Sequence, residues 1–69
     1  LDINAELEKL NKELTYMKGF LESVEKKLSN KNFTTNAPKN IVENEEKKAQ
    51  DAKEKIQILN RNINDIKQS

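Results

Sequence analysis

A chain of 69 residues is one small domain at most, too short to enclose a large globular core. Its 13 basic residues against 12 acidic ones leave a net charge of +1. That balance excludes whole-surface attraction to nucleic acid and restricts any such binding to a local patch. With no cysteine and no histidine, the chain has no means of making a disulfide, a thiolate or imidazole zinc site, or a histidine acid–base centre.

Charged residues make up 36% and hydrophobic residues 33%, and the apolar set is mostly Leu, Ile and Val with one Tyr and two Phe. Such a composition suits long helices better than a sheet. No apolar run approaches the roughly 20 residues needed to span a bilayer, and no signal peptide is visible. The expected location is therefore cytoplasmic, with no membrane partner. The chain opens at Leu1 and not Met, the expectation for a segment of something longer.

In chain order, Asp2 stands where a helix N-cap belongs, its carboxylate placed to accept backbone N–H groups. Apolar residues then recur at Ile3, Leu7, Leu10, Leu14, Met17, Leu21, Val24 and Leu28. Their spacings alternate between four and three, a heptad stripe that predicts a helix over about 2–28. Ser29-Asn30-Lys31-Asn32 is a run of turn formers, so 29–37 is expected to be a loop. Pro38 suits the first turn of a second helix over about 38–67, where its missing N–H costs nothing. The stripe resumes there at Val42, Glu45, Ala49, Ala52, Ile56, Leu59, Ile63 and Ile66, with Glu45 its one polar member.

The two stripes fit each other head to tail. Pairing Leu7 with Ile63, Leu10 with Leu59, Leu14 with Ile56, Met17 with Ala52, Leu21 with Ala49 and Leu28 with Val42 keeps the sum of residue numbers constant to within one. Large residues also oppose small ones at Met17 and Leu21. The expected fold is all-α: an antiparallel two-helix coiled-coil hairpin, each arm roughly 40 Å long. A continuous parallel dimer is disfavoured, because Pro38 and the asparagine cluster would interrupt its helix.

Catalytic residues are expected to be none. The 12 carboxylates are spread along faces that are ordinarily solvated, no nucleophile has a base, and Gly19 is the only glycine. No metal site is expected either. The flanks of the seam are more informative. Glu13 would face Lys55 as a supporting ion pair, and Phe20 would cover the stem of Lys48. On the opposite flank Lys18 faces Lys53 and Glu25 faces Glu46, like-charge pairs that disfavour folding slightly.

Lys18 and Lys53 together would make a small positive site suited to a phosphate; the plainer alternative is two lysines pointing into water. Tyr16 faces outward, where it would stack on a nucleobase or stand as an ordinary exposed aromatic. Lys26 and Lys48 complete the candidate nucleic-acid contacts. Ile58, nearer the open end, would equally suit burial against a parent protein. Glu45 lies opposite Val24 and needs partners, for which the loop amides from Asn30 to Phe33 are the nearest candidates. Phe33 would plug the tip of the seam.

Two segments are more distinctive than the heptads. Leu28-Ser29-Asn30-Lys31-Asn32-Phe33, followed by Ala37-Pro38-Lys39-Asn40-Ile41-Val42-Glu43-Asn44-Glu45, resembles the hairpin tip in the C-terminal arm of the valyl-tRNA synthetase family. The family pattern there is Leu-Ser-Asn-x-x-Phe, three residues, then Ala-Pro-x-x-Val-Val-x-x-Glu. Ile41 replaces the first valine of that pattern. The Asp2-Ile3 opening and the flanking heptads match as well, so the resemblance covers essentially the whole chain.

The resemblance implies a non-catalytic module appended to a class I synthetase (a valine–tRNA ligase). Such an arm reaches the outer corner of tRNA, where the D and T loops meet, and supports aminoacylation performed elsewhere. It implies valine-specific tRNA as partner, contacts with other synthetase domains, and no DNA. It also implies no cofactor in this segment, with ATP and Mg in the parent's catalytic domain. The tip motif would maintain the turn and is not carried over as a set of tRNA contacts. The competing class is a structural hairpin that mediates protein–protein contacts, as in another synthetase or a ribosome-associated ATPase.

Overall fold

The computed structural model describes residues 2–68. Helix α1 spans Ile3–Ser29, a short helix α2 spans Lys31–Asn36, and α3 spans Lys39–Gln68. Asp2 caps α1: its Oδ1 accepts the backbone N–H groups of Asn4 at 3.0 Å and Ala5 at 3.2 Å. Glu6 in the first turn and Lys26 and Lys27 in the last complement the helix dipole. The helix stops at Asn30, whose backbone turns extended while its N–H still donates to the Lys27 carbonyl at 3.2 Å.

The segment expected as a plain loop is instead built around α2. Asn30 ends one helix and starts the next. Its Oδ1 accepts the Asn32 N–H at 3.0 Å and its carbonyl accepts the Thr34 N–H at 3.1 Å. The asparagines that read as turn formers are thus acting as a helix cap, a role for which the same side-chain chemistry suits them. Ala37 ends α2 with φ −74° and ψ 150°, the extended conformation that a following proline imposes. Helix α2 lies against α1, and Phe33 and Ala37 are half-buried.

Pro38 immediately precedes α3, and its carbonyl accepts the N–H groups of Ile41 at 3.0 Å and Val42 at 3.2 Å. Helices α1 and α3 then pack against each other in a rod with principal extents of 50 × 15 × 14 Å. Val24, Ala49, Ala52, Leu59, Ile63 and Glu45 are buried in the seam. Leu7, Leu10, Leu14, Met17, Leu21, Leu28, Val42 and Ile56 are half-buried, because two helices cover only one side of each other. Ala52, opposite the long Met17 in the register, is the most deeply buried at 1% exposed, followed by Leu59 at 2%. The expected antiparallel hairpin is the fold observed.

Candidate nucleic-acid interface

With 3.6 residues per turn and one buried stripe, each helix presents two flanks beside the seam. One flank carries Tyr16, Phe20 and Lys27 from α1 and Ile41, Lys48, Lys55 and Ile58 from α3. The other carries Asn11, Lys18 and Glu25 from α1 and Glu46, Lys53 and Asn60 from α3. Apart from Ile3 on the seam, the large apolar side chains exposed among the described residues are Tyr16, Ile41 and Ile58. All three fall on the first flank, here called the aromatic flank. Among the described residues the polar flank has no apolar side chain.

Two depressions mark the aromatic flank. The larger, about 420 Å³, is lined by Lys12, Glu13, Tyr16, Met17 and Lys55. The smaller, about 150 Å³, is lined by Phe20, Ser23, Val24, Lys27, Glu45 and Lys48. Phe20 and Lys48 both line it. Among the described residues no ion pair closes between Glu13 and Lys55, although both border the larger groove. A third depression, on the outer surface of α1, is bordered by Glu8, Asn11, Lys12 and Thr15. Its polar groups answer one another: Asn11 donates to the Leu7 carbonyl, Thr15 to the Asn11 carbonyl, and Lys12 pairs with Glu8 at 3.3 Å.

Glu45 corrects an expectation. Its partners are two lysines and not the loop amides: Lys27 Nζ at 3.3 Å and Lys48 Nζ at 3.4 Å, both on the same Oε1. The amides of Asn32 and Thr34 are committed to the cap of α2, whereas lysines on the flank positions nearest Glu45 have the reach to fold in. Burial alone would push the Glu45 carboxyl up. The hydrogen bonds and charge of Lys27, then those of Lys48, outweigh it and hold the group below its ordinary value. The Glu45 side chain is 9% exposed while those of Lys27 and Lys48 are 53% and 55% exposed, so the carboxylate is enclosed and the ammonium groups are not.

On the polar flank Lys53 reaches diagonally to Glu25, Nζ to Oε2 at 3.9 Å, which relieves both like-charge pairs that the register sets up. The five candidate contacts, all exposed, are therefore dispersed. Tyr16 and Lys48 share the aromatic flank, Lys18 and Lys53 lie across the seam from them, and Lys26 faces away on the back of α1. The structure adds Lys12 and Lys55 beside Tyr16 and Lys27 beside Lys48. Lys27 had a signal in the sequence: a carboxylate in a seam must be met by cations at the flanking positions, and 27 and 48 are the ones that flank it.

Among the described residues no group of three Asp or Glu side chains is placed to hold a metal ion, and no helix is long and apolar enough to cross a membrane. No solved structure matches the chain. A family model described as the valyl tRNA synthetase tRNA binding arm matches residues 2–67. The valine–tRNA ligase of Christiangramia forsetii is 46% identical over 66 residues, covering 96% of this chain and 8% of that protein. That of Parabacteroides distasonis is 48% identical over 63 residues, 91% of this chain and 7% of that protein. The more distant enzyme of Chlorobaculum tepidum is 35% identical over 63 residues. The chain thus spans less than a tenth of the length of these relatives. A capped helical hairpin with a proline-started return helix, matched over nearly its whole length, belongs to the family of valyl-tRNA synthetase tRNA-binding arms.

Proposed function

We propose that this chain is the arm with which a valine–tRNA ligase holds the outer corner of its tRNA, the elbow of D and T loops, during aminoacylation. The observation that carries this reading is the match to the tRNA-binding arm over residues 2–67. A rod 50 Å long supports it, since a two-helix seam is stiff and extends well away from whatever body bears it. In this reading valine activation and transfer, with their ATP and Mg, belong to the rest of a cytoplasmic class I enzyme. This segment supplies binding energy alone.

A near-neutral arm is sufficient for that task. Tethered to an enzyme that already holds tRNA, it acts at high effective concentration, so weak contacts add up to a useful gain in affinity. Contacts to phosphates and exposed loop bases are the usual currency of RNA recognition by shape. Tyr16 and Lys48, on the aromatic flank, are the principal contacts in this reading. Lys18, Lys53 and Lys26 add positive potential without converging on one ligand. The open end, where Ile3 is 56% exposed and Ile58 is 51% exposed, packs against other synthetase domains.

The test is removal of residues 2–68 from the full-length ligase, followed by kinetics with valine tRNA. The expected result is a raised KM for tRNA with a flatter dependence on salt, because phosphate contacts are lost, and with valine activation unchanged. If KM for tRNA is unmoved and the enzyme instead loses stability, the arm is a packing element between domains, the alternative that the exposed Ile58 favours.

A further inference from the structure

We propose that Lys27 and Lys48, gathered by the enclosed Glu45 beside Phe20 and Ser23, form a binding site for a backbone phosphate of an RNA strand. The site deepens the tRNA-arm reading and rests on it. Three observations converge. Both ammonium groups bond the same Oε1, at 3.3 and 3.4 Å, and are thereby held close enough for a single phosphate to bridge them. Each spends one of its three N–H donors on Glu45 and keeps the others for a ligand, and each side chain remains more than half exposed while the carboxylate does not.

The clasp has two positive charges and one negative, so it presents a net positive charge outward. Its cleft of about 150 Å³ opens on the same flank as Tyr16 and Phe20, which places a flat aromatic surface next to the phosphate position. A ribose or base adjoining the held phosphate has somewhere to lie. Glu45 is a positioning residue here: it touches the lysines and not the RNA, and it restrains two long side chains that would otherwise lose rotamer freedom on binding. Across the seam, Lys18 and Lys53 lack such an organiser, because Lys53 pairs with the exposed Glu25.

The experiment compares two variants of the full-length ligase that bears the arm. One is Lys27→Gln/Glu45→Leu/Lys48→Gln, in which the seam is refilled with an apolar residue so that removing the lysines leaves no buried charge behind. The other is Lys18→Gln/Lys53→Gln. Circular dichroism of each confirms the fold, and binding of a valine tRNA transcript is titrated across salt concentrations. The triple variant should lose about tenfold in affinity and flatten the salt slope by about 1 to 2, whereas the polar-flank pair should lose under about twofold.

Equal losses in the two variants, or a larger loss in the polar-flank pair, overturn the site. Deletion of the whole arm separates the two levels. If deletion weakens binding and the triple variant does not, the phosphate site fails and the tRNA-arm reading stands. If deletion has no effect, both fail together.

Discussion

On the polar flank of the seam, Lys53 reaches an exposed Glu25 at 3.9 Å; on the aromatic flank, Lys27 and Lys48 converge on the buried Glu45 at 3.3 and 3.4 Å. The pairs are chemically alike and physically different. Glu25 and Lys53 are each about half exposed, so water and salt screen their attraction and ordering them gains little. Glu45 has little access to water and depends on its lysines, so the geometry of that cluster is held by the seam itself. The difference lies in what the carboxylate is packed against, not in how many lysines a flank carries. Counting basic residues, Lys27, Lys48 and Lys55 on one flank against Lys18 and Lys53 on the other, would not have shown which of them are held in place.

The change with the largest expected effect abolishes the comparison. Leu59 is 2% exposed, at the centre of the seam between α1 and α3. Leu59→Ala should cost about 2–5 kcal/mol, a large part of what so small a domain has. Both flanks exist only while the helices are docked. Thermal unfolding followed by circular dichroism should therefore show a steep fall in the midpoint for the isolated arm. A small change would mean that the seam is held mainly by its ends.

An intermediate effect sharpens the comparison. Tyr16 is 70% exposed, so Tyr16→Ala should leave the unfolding midpoint nearly unchanged. It should weaken tRNA binding by about 1–3 kcal/mol if a base stacks there, with Tyr16→Phe keeping most of the affinity. Its neighbour Thr15 faces the other way, and Thr15→Ala is the matched control. Equal losses from the two would show that RNA does not discriminate between the flanks.

The smallest effect probes neither flank. Gly19 lies in the middle of α1 on its outermost line, and a Cβ placed there meets nothing within 4 Å. Gly19→Ala should raise stability by roughly 0.5–1 kcal/mol through helix propensity and reduced freedom of the unfolded chain. The unfolding midpoint should rise while tRNA affinity stays constant. Loss of affinity would place the RNA on the back of α1, beside Lys26, and away from either flank.

Much of this molecule was legible residue by residue. The Asp2 cap, the stop near Ser29 and the restart after Pro38 are local events, governed by side chains within a few positions of the backbone they satisfy. The heptad stripe and its head-to-tail register followed from spacing, because burial along a helix repeats with the helix's own period. Helix α2 was missed for an instructive reason: an asparagine that ends one helix and caps another looks the same in sequence as one that makes a turn. Only the backbone conformation at Asn30 separates the two.

The candidate site was harder to read than the fold. The heptad positions place Tyr16 outward and set Lys18 opposite Lys53, but they do not say where a lysine's ammonium group ends up, Lys27's included. Long lysine side chains are not tied to the direction their Cβ atoms set. Lys53 swings along its flank to Glu25, and Lys27 and Lys48 fold inward to Glu45. Periodicity and local capping, both readable in the chain, settle the helices, their pairing and which residues lie beside the seam. Which charged groups meet is a matter of the folded arm, because it depends on distances across the seam and on how far each carboxylate is withdrawn from water.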